Sequence, residues 1–114
     1  MRQRNPLNKF GEVTLDANGN GQVELKPTQY EETWLVTSAS IIVAPVPPAT
    51  VVVREPVFKL FSNGRFIAGT DKGDLNAGGM YEILHSQQPM LGQWSAGDPG
   101  AIAQLRLGGW QDIK

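Results

Sequence analysis

A chain of 114 residues and 12.4 kDa is one domain on ordinary size grounds, long enough to bury a core without covalent staples. The absence of cysteine excludes disulfide scaffolds, thiolate metal centres and cysteine nucleophiles, and a net charge of −1 argues against nucleic acid or an anionic membrane as a partner. Thirteen glycines and eight prolines disfavour helices, and with only 18% charged residues they point to a turn-rich β protein.

The chain opens on a basic segment. Residues 1–10 hold Arg2, Arg4 and Lys9 with no acidic residue, a side-chain charge of +3, whereas the remaining 104 residues carry seven basic and eleven acidic groups, a net −4. Pro6 bars a helix there, and Leu7 and Phe10 are its large apolar side chains besides Met1. No apolar stretch follows the basic residues, so a secretory signal is not expected. The segment is expected to be an extended N-terminal arm, apart from a single β-sandwich domain over residues 11–114.

Short alternating runs then follow one another with turn signals between them. Glu12-Val13-Thr14-Leu15 predicts a strand with Val13 and Leu15 on one face. The cluster Asp16-Ala17-Asn18-Gly19-Asn20-Gly21 supplies positive-φ positions for a hairpin. Gln22 to Leu25 is the return strand, ended by Pro27. Thr33 to Ala44 is the longest run, with Trp34 and Val36 on one side and Leu35 on the other. Its apolar phase is broken across Thr37-Ser38-Ala39-Ser40, where a bulge or bend is expected. Thr50 to Arg54 reads as either a strand or part of a crossing loop.

Val57 to Ser62, Asn63-Gly64 and Arg65 to Thr70 form the clearest hairpin in the chain. Asp71 to Gly79 reads as a polar loop. Met80 to Leu84, Met90 to Ser95 and Ala101 to Leu107 complete about eight short strands, which short connections make mostly antiparallel. The expected fold is an all-β, antiparallel β-sandwich, jelly-roll-like, with core candidates Val13, Leu15, Val23, Leu25, Trp34, Val36, Phe58, Leu60, Ile67, Ile83, Trp94, Leu105 and Leu107. No segment reaches the ~18 to 20 apolar residues of a membrane-spanning helix.

Chemical constellations are sparse. Asp16-Ala17-Asn18-Gly19-Asn20-Gly21 matches the opening of a calcium loop, but the position of its bidentate glutamate is Pro27, which favours a plain turn. His85 is the one imidazole in the chain; a Ser-His-Asp set could be drawn from Ser86 or Ser62, His85 and Asp74, but nucleophile-elbow spacing is missing. Glu31/Glu32, Asp71/Asp74 and Asp98 are carboxylates in loops, where solubility accounts for them. No cofactor or metal is expected. Trp34, Trp94, Trp110, Tyr30 and Tyr81 could form a sugar-stacking platform, although Trp34 and Trp94 sit in alternating runs that favour burial. Trp110 is open to either exposure or a role in locking the C-terminal end.

The order Gly11-Glu12-Val13-Thr14-Leu15-Asp16, Asn18-Gly19-Asn20-Gly21-Gln22-Val23, Leu25 and Pro27, then Thr33-Trp34 and Val36, resembles small virion proteins of tailed bacteriophages, especially those of actinobacterial hosts. Phe66-Ile67-Ala68-Gly69-Thr70 with Gly73-Asp74-Leu75, Gln93 to Asp98 with Gly100-Ala101, and Leu105-Arg106-Leu107 with Gly109-Trp110 extend the resemblance over residues 11 to 110. It implies a non-enzymatic structural protein of the particle, most readily a capsid decoration protein on the virion surface, whose partner is the major capsid protein or another virion protein. It also suggests a homo-oligomer, with a trimer suited to threefold positions of a shell. On this reading Arg2, Arg4, Leu7, Lys9 and Phe10 of the arm are partner-binding residues, ordered in the assembly, and removing residues 2 to 9 leaves the sandwich intact. The alternative for the arm is a frayed terminus. The alternative for the whole chain is a carbohydrate-binding or host-surface-binding module of the phage head or tail.

Overall fold

A computed structural model describes residues 3–48, 50, 52–70 and 75–113, and among them there are nine strands and no helix. The strands are β1 (Gln3–Thr14), β2 (Gly21–Leu25), β3 (Glu32–Ala44), β4 (Val57–Ser62), β5 (Arg65–Thr70), β6 (Leu75–Ala77), β7 (Glu82–Leu84), β8 (Met90–Ser95) and β9 (Ile102–Ile113). A long sheet runs β1-β9-β3, with β6 and β7 on the far edge of β3; a short sheet runs β2-β8-β4-β5. Every pairing is antiparallel. With β6 and β7 taken as one interrupted strand there are eight positions, and the crossings between sheets are those of a jelly roll. The expected fold class is therefore present.

Alternation explains the core. Val36, Ala39, Ile41 and Val43 of β3, Ala103, Leu105 and Leu107 of β9, Phe58 and Leu60 of β4, and Met90 and Trp94 of β8 are buried between the sheets. Each large aliphatic side chain removed from water contributes about 1.5–3 kcal/mol. Phe58 and Trp94 pack with ring centroids 5.0 Å apart. The phase of β3 changes from even to odd residues at a bulge between Val36 and Ser38, at the place where the sequence lost its alternation. The strand does not leave its sheet there.

Several expectations are corrected. Residues 3–10 are extended, but they are not an arm apart from the sandwich. They are the first part of β1, paired with β9 from Gln3↔Ile113 onward, and Leu7 is only 4% exposed. The driving force is the inward row of Leu7, Lys9, Gly11, Val13 and Leu15, which matches the inner face of β9. Ile83 is exposed and Leu84 is in the core, because Leu84 lies opposite the inward-facing Trp34. β9 also runs through Gly108-Gly109, which oppose the β3 bulge at Ser38 and Val36. Gly109 has φ +147°, and a Cβ there would collide with the carbonyl oxygen of Leu35, so glycine lets the ladder pass the extra residue. β6 falls in the expected polar loop, while residues 71–74 lie outside the described residues. Residues 50 and 52–54 are loop.

The two sheets differ in length. Strands of 12 and 13 residues in the long sheet face strands of 5 and 6 residues, and the molecule measures 51 × 22 × 20 Å. One half of the long sheet, with residues 3–9, 32–36, 82–84 and 108–113, therefore projects beyond the short one. Its inner side is closed by the β2–β3 and β7–β8 connections, joined where Gln87 N–H donates to the Pro27 carbonyl at 2.8 Å. That overhang carries most of the chemistry of the molecule.

Candidate functional site: the overhang of the long sheet

Strand register places outward-facing side chains in rows across the long sheet. Arg4, Asp112 and Thr33 form the first row, and Pro6, Trp110, Leu35 and Ile83 the next. Phe10, Arg106, Ser40 and Asn76 form a third row further along. The result is a polar row beside an apolar one.

Arg4 and Asp112 are joined in a fork: Nε donates to Oδ1 at 3.0 Å and Nη2 donates to Oδ2 at 3.3 Å. This hydrogen bonding, with the attraction between the charges, raises the Arg4 pKa above the usual arginine value. Thr33 Oγ1 and His85 Nδ1 lie 3.4 Å apart next to the pair. Tyr81, 70% exposed, borders a groove of about 270 Å³ whose floor is Leu35 and Ile83 and whose polar wall is Arg4, Asp112, Thr33, Glu31 and His85. Trp110, 43% exposed, lies on β9 between Pro6 of β1 and Leu35 of β3. Arg106 lies over the Phe10 ring, 5.4 Å from its centroid. Aromatic and arginine side chains around one apolar row are the composition of a recognition surface.

A second cleft lies on the inner side of the overhang. Glu32, 6% exposed, accepts a hydrogen bond from Trp34 Nε1 at 2.6 Å, and Lys9 Nζ stands 5.7 Å from the Trp34 ring centroid. The indole thus satisfies a buried carboxylate and supports a cation on its face. Lys9, Glu32 and Trp34 fasten β1 and β3 at this end.

The residues singled out in the sequence divide accordingly. Arg2 lies outside the described residues. Arg4 and Phe10 are on the outer face, Lys9 is on the inner side, and Leu7 is buried and out of a partner's reach. Trp34 and Trp94 are core residues, while Tyr30, Tyr81 and Trp110 are exposed. Asp16 Oδ1 accepts the N–H groups of Asn18 and Asn20, at 2.8 and 3.0 Å, so that carboxylate holds a turn. Asp98 accepts the N–H groups of Val53 and Arg54 and pins the long β3–β4 connection. Among the described residues no three acidic or histidine side chains are grouped to hold a metal ion. Ile83 was expected in the core, and neither Leu35 nor the Arg4–Asp112 fork was read as part of a site; the outward alternation of Leu35 was the available signal for the groove. A scan of protein-family models and a search of curated proteins find no match to the chain.

Proposed function

We propose that the chain is a non-enzymatic structural protein of a tailed-phage particle, a capsid decoration protein that binds the assembled shell through the outer face of its long sheet. The observation that carries this reading is the row Pro6, Trp110, Leu35 and Ile83, flanked by Arg4 and Arg106: an exposed apolar band with aromatic and arginine anchors on a rigid sheet. The resemblance of residues 11 to 110 to small phage virion proteins supports the same reading, with the major capsid protein or another virion protein as partner. It also favours a homo-oligomer. Binding only to the assembled shell stabilises that state by mass action.

Particles assembled without the protein should form but be more fragile to heat or to low salt, and Trp110→Asp should leave the protein folded yet unbound to them. Purified virions that lack the polypeptide, or that bind Trp110→Asp at full occupancy, overturn the reading. The groove favours one second reading. Tyr81 and Trp110 beside the polar wall of Arg4, Asp112, Thr33 and His85 suit a sugar ring stacked on an aromatic face, with hydroxyls bonded to the wall. That reading expects retention on a glycan column, lost in Trp110→Ala.

A further inference from the structure

β1 pairs with β9 along one side, and among the described residues no strand lies along the other. Twelve residues of edge backbone, roughly 40 Å at the usual rise per residue, form an unusually long template for strand addition. We infer that this edge joins two copies of the chain, β1 lying antiparallel to β1 of a second copy about a twofold axis through Asn8. The inference does not depend on the virion reading.

The register follows from the side chains. A dimer that continues the sheet must keep outer face beside outer face, so even-numbered residues oppose even-numbered ones. With the axis at Asn8, Arg4 opposes Glu12 of the second copy, Pro6 opposes Phe10, and Asn8 opposes itself; symmetry repeats each contact. Moving the axis to Leu7 sets Arg4 against Phe10, and moving it to Lys9 sets Lys9 against itself. Among the described residues of β1, only the Asn8 register sets opposite charges against each other at both ends and apolar side chains between. Arg4 then stands between its own Asp112 and the second copy's Glu12, whose other carboxylate oxygen accepts from Gln104 Nε2 at 3.2 Å. Phe10 is 47% exposed and would pack its ring against Pro6 across the seam. Exposed ion pairs add little affinity, but they select the register. Pro6 withholds one ladder donor from each strand, a cost the seam carries twice.

Cross-linking tests the register directly, because the natural chain has no cysteine. At the axis two copies of residue 8 would face each other at a Cα spacing a disulfide accepts. Light scattering of the full chain should give twice 12.4 kDa at tens of micromolar. Under mild oxidation Asn8→Cys should form covalent dimers at least about tenfold faster than Glu12→Cys, which the axis holds away from itself. An equimolar mixture of Arg4→Cys and Glu12→Cys should cross-link as heterodimers. Unchanged circular dichroism spectra keep the comparison fair, since all three side chains face solvent. A monomer at every concentration, a trimer, or equal rates for Asn8→Cys and Glu12→Cys overturns the proposal.

Discussion

Gly19 stands at φ +77° in the β1–β2 turn, and a methyl group there would run into the carbonyl oxygen of Gly97. Gly97 N–H donates to the Gly19 carbonyl at 3.0 Å, and Asn20 Oδ1 accepts the Ala96 N–H at 3.1 Å, so this turn and the β8–β9 connection are locked together. Gly64 has almost the same backbone angle, φ +84°, but open space around it. The pair separates two costs. Gly64→Ala bears only the left-handed backbone penalty, about 1–2 kcal/mol, whereas Gly19→Ala adds the collision and should lose at least about 2 kcal/mol more. Urea midpoints of the two variants measure the difference directly; equal midpoints would mean the turn shifts freely away from Gly97. The Asp16-to-Gly21 cluster is accordingly a structural joint, and the carboxylate that resembled a calcium ligand is occupied by Asn18 and Asn20 N–H groups.

β1 is the element on which sequence and structure part most. Its last four residues alternate clearly, whereas in Arg4-Asn5-Pro6-Leu7-Asn8-Lys9 the sole inward apolar side chain is Leu7, too little signal for a local rule. What recruits this segment is the inner face of β9, more than ninety residues further along the chain. The same distance hides the Arg4–Asp112 fork from any local reading. β9 is undercut in the opposite way: Gly108-Gly109 reads as a stop locally, yet it is what the β3 bulge requires. By contrast the β4–β5 hairpin was legible because Asn63-Gly64 decides it on its own, with Asn63 at φ +48°. Since Leu7 is a core residue, Leu7→Ala should cost about 2–5 kcal/mol, and deletion of residues 2 to 9 should lower the melting temperature sharply. Thermal unfolding followed by circular dichroism checks both. A truncated chain melting like the parent would return residues 3–10 to the status of an arm.

At the scale of the molecule, the fold class was legible because many short alternating runs with glycine and proline between them leave few other architectures. The site was less so. Tyr81, Trp110 and His85 were visible as isolated residues, and only the sheet register brings them to one end with Arg4 and Asp112. Because β1 pairs with the distant β9, the long sheet cannot close until both strands are at hand, which favours slow folding of the kind non-local β topologies have.

The pairing of β1 with β9 also decides how the protein bears a load. Gln3 and Ile113 are opposite one another at the same end of an antiparallel pair. A pull that separates these two points acts along the ladder's hydrogen bonds and breaks them one after another, like a zipper. A pull between Gln3 and Ala44 runs instead along the strands, through β9, and loads the β1–β9 and β9–β3 ladders in shear, so that many hydrogen bonds must break together. Force spectroscopy with handles at Gln3 and Ile113 should therefore give a much lower rupture force than handles at Gln3 and Ala44. A protein of this build is tough along its long axis and peels from its ends.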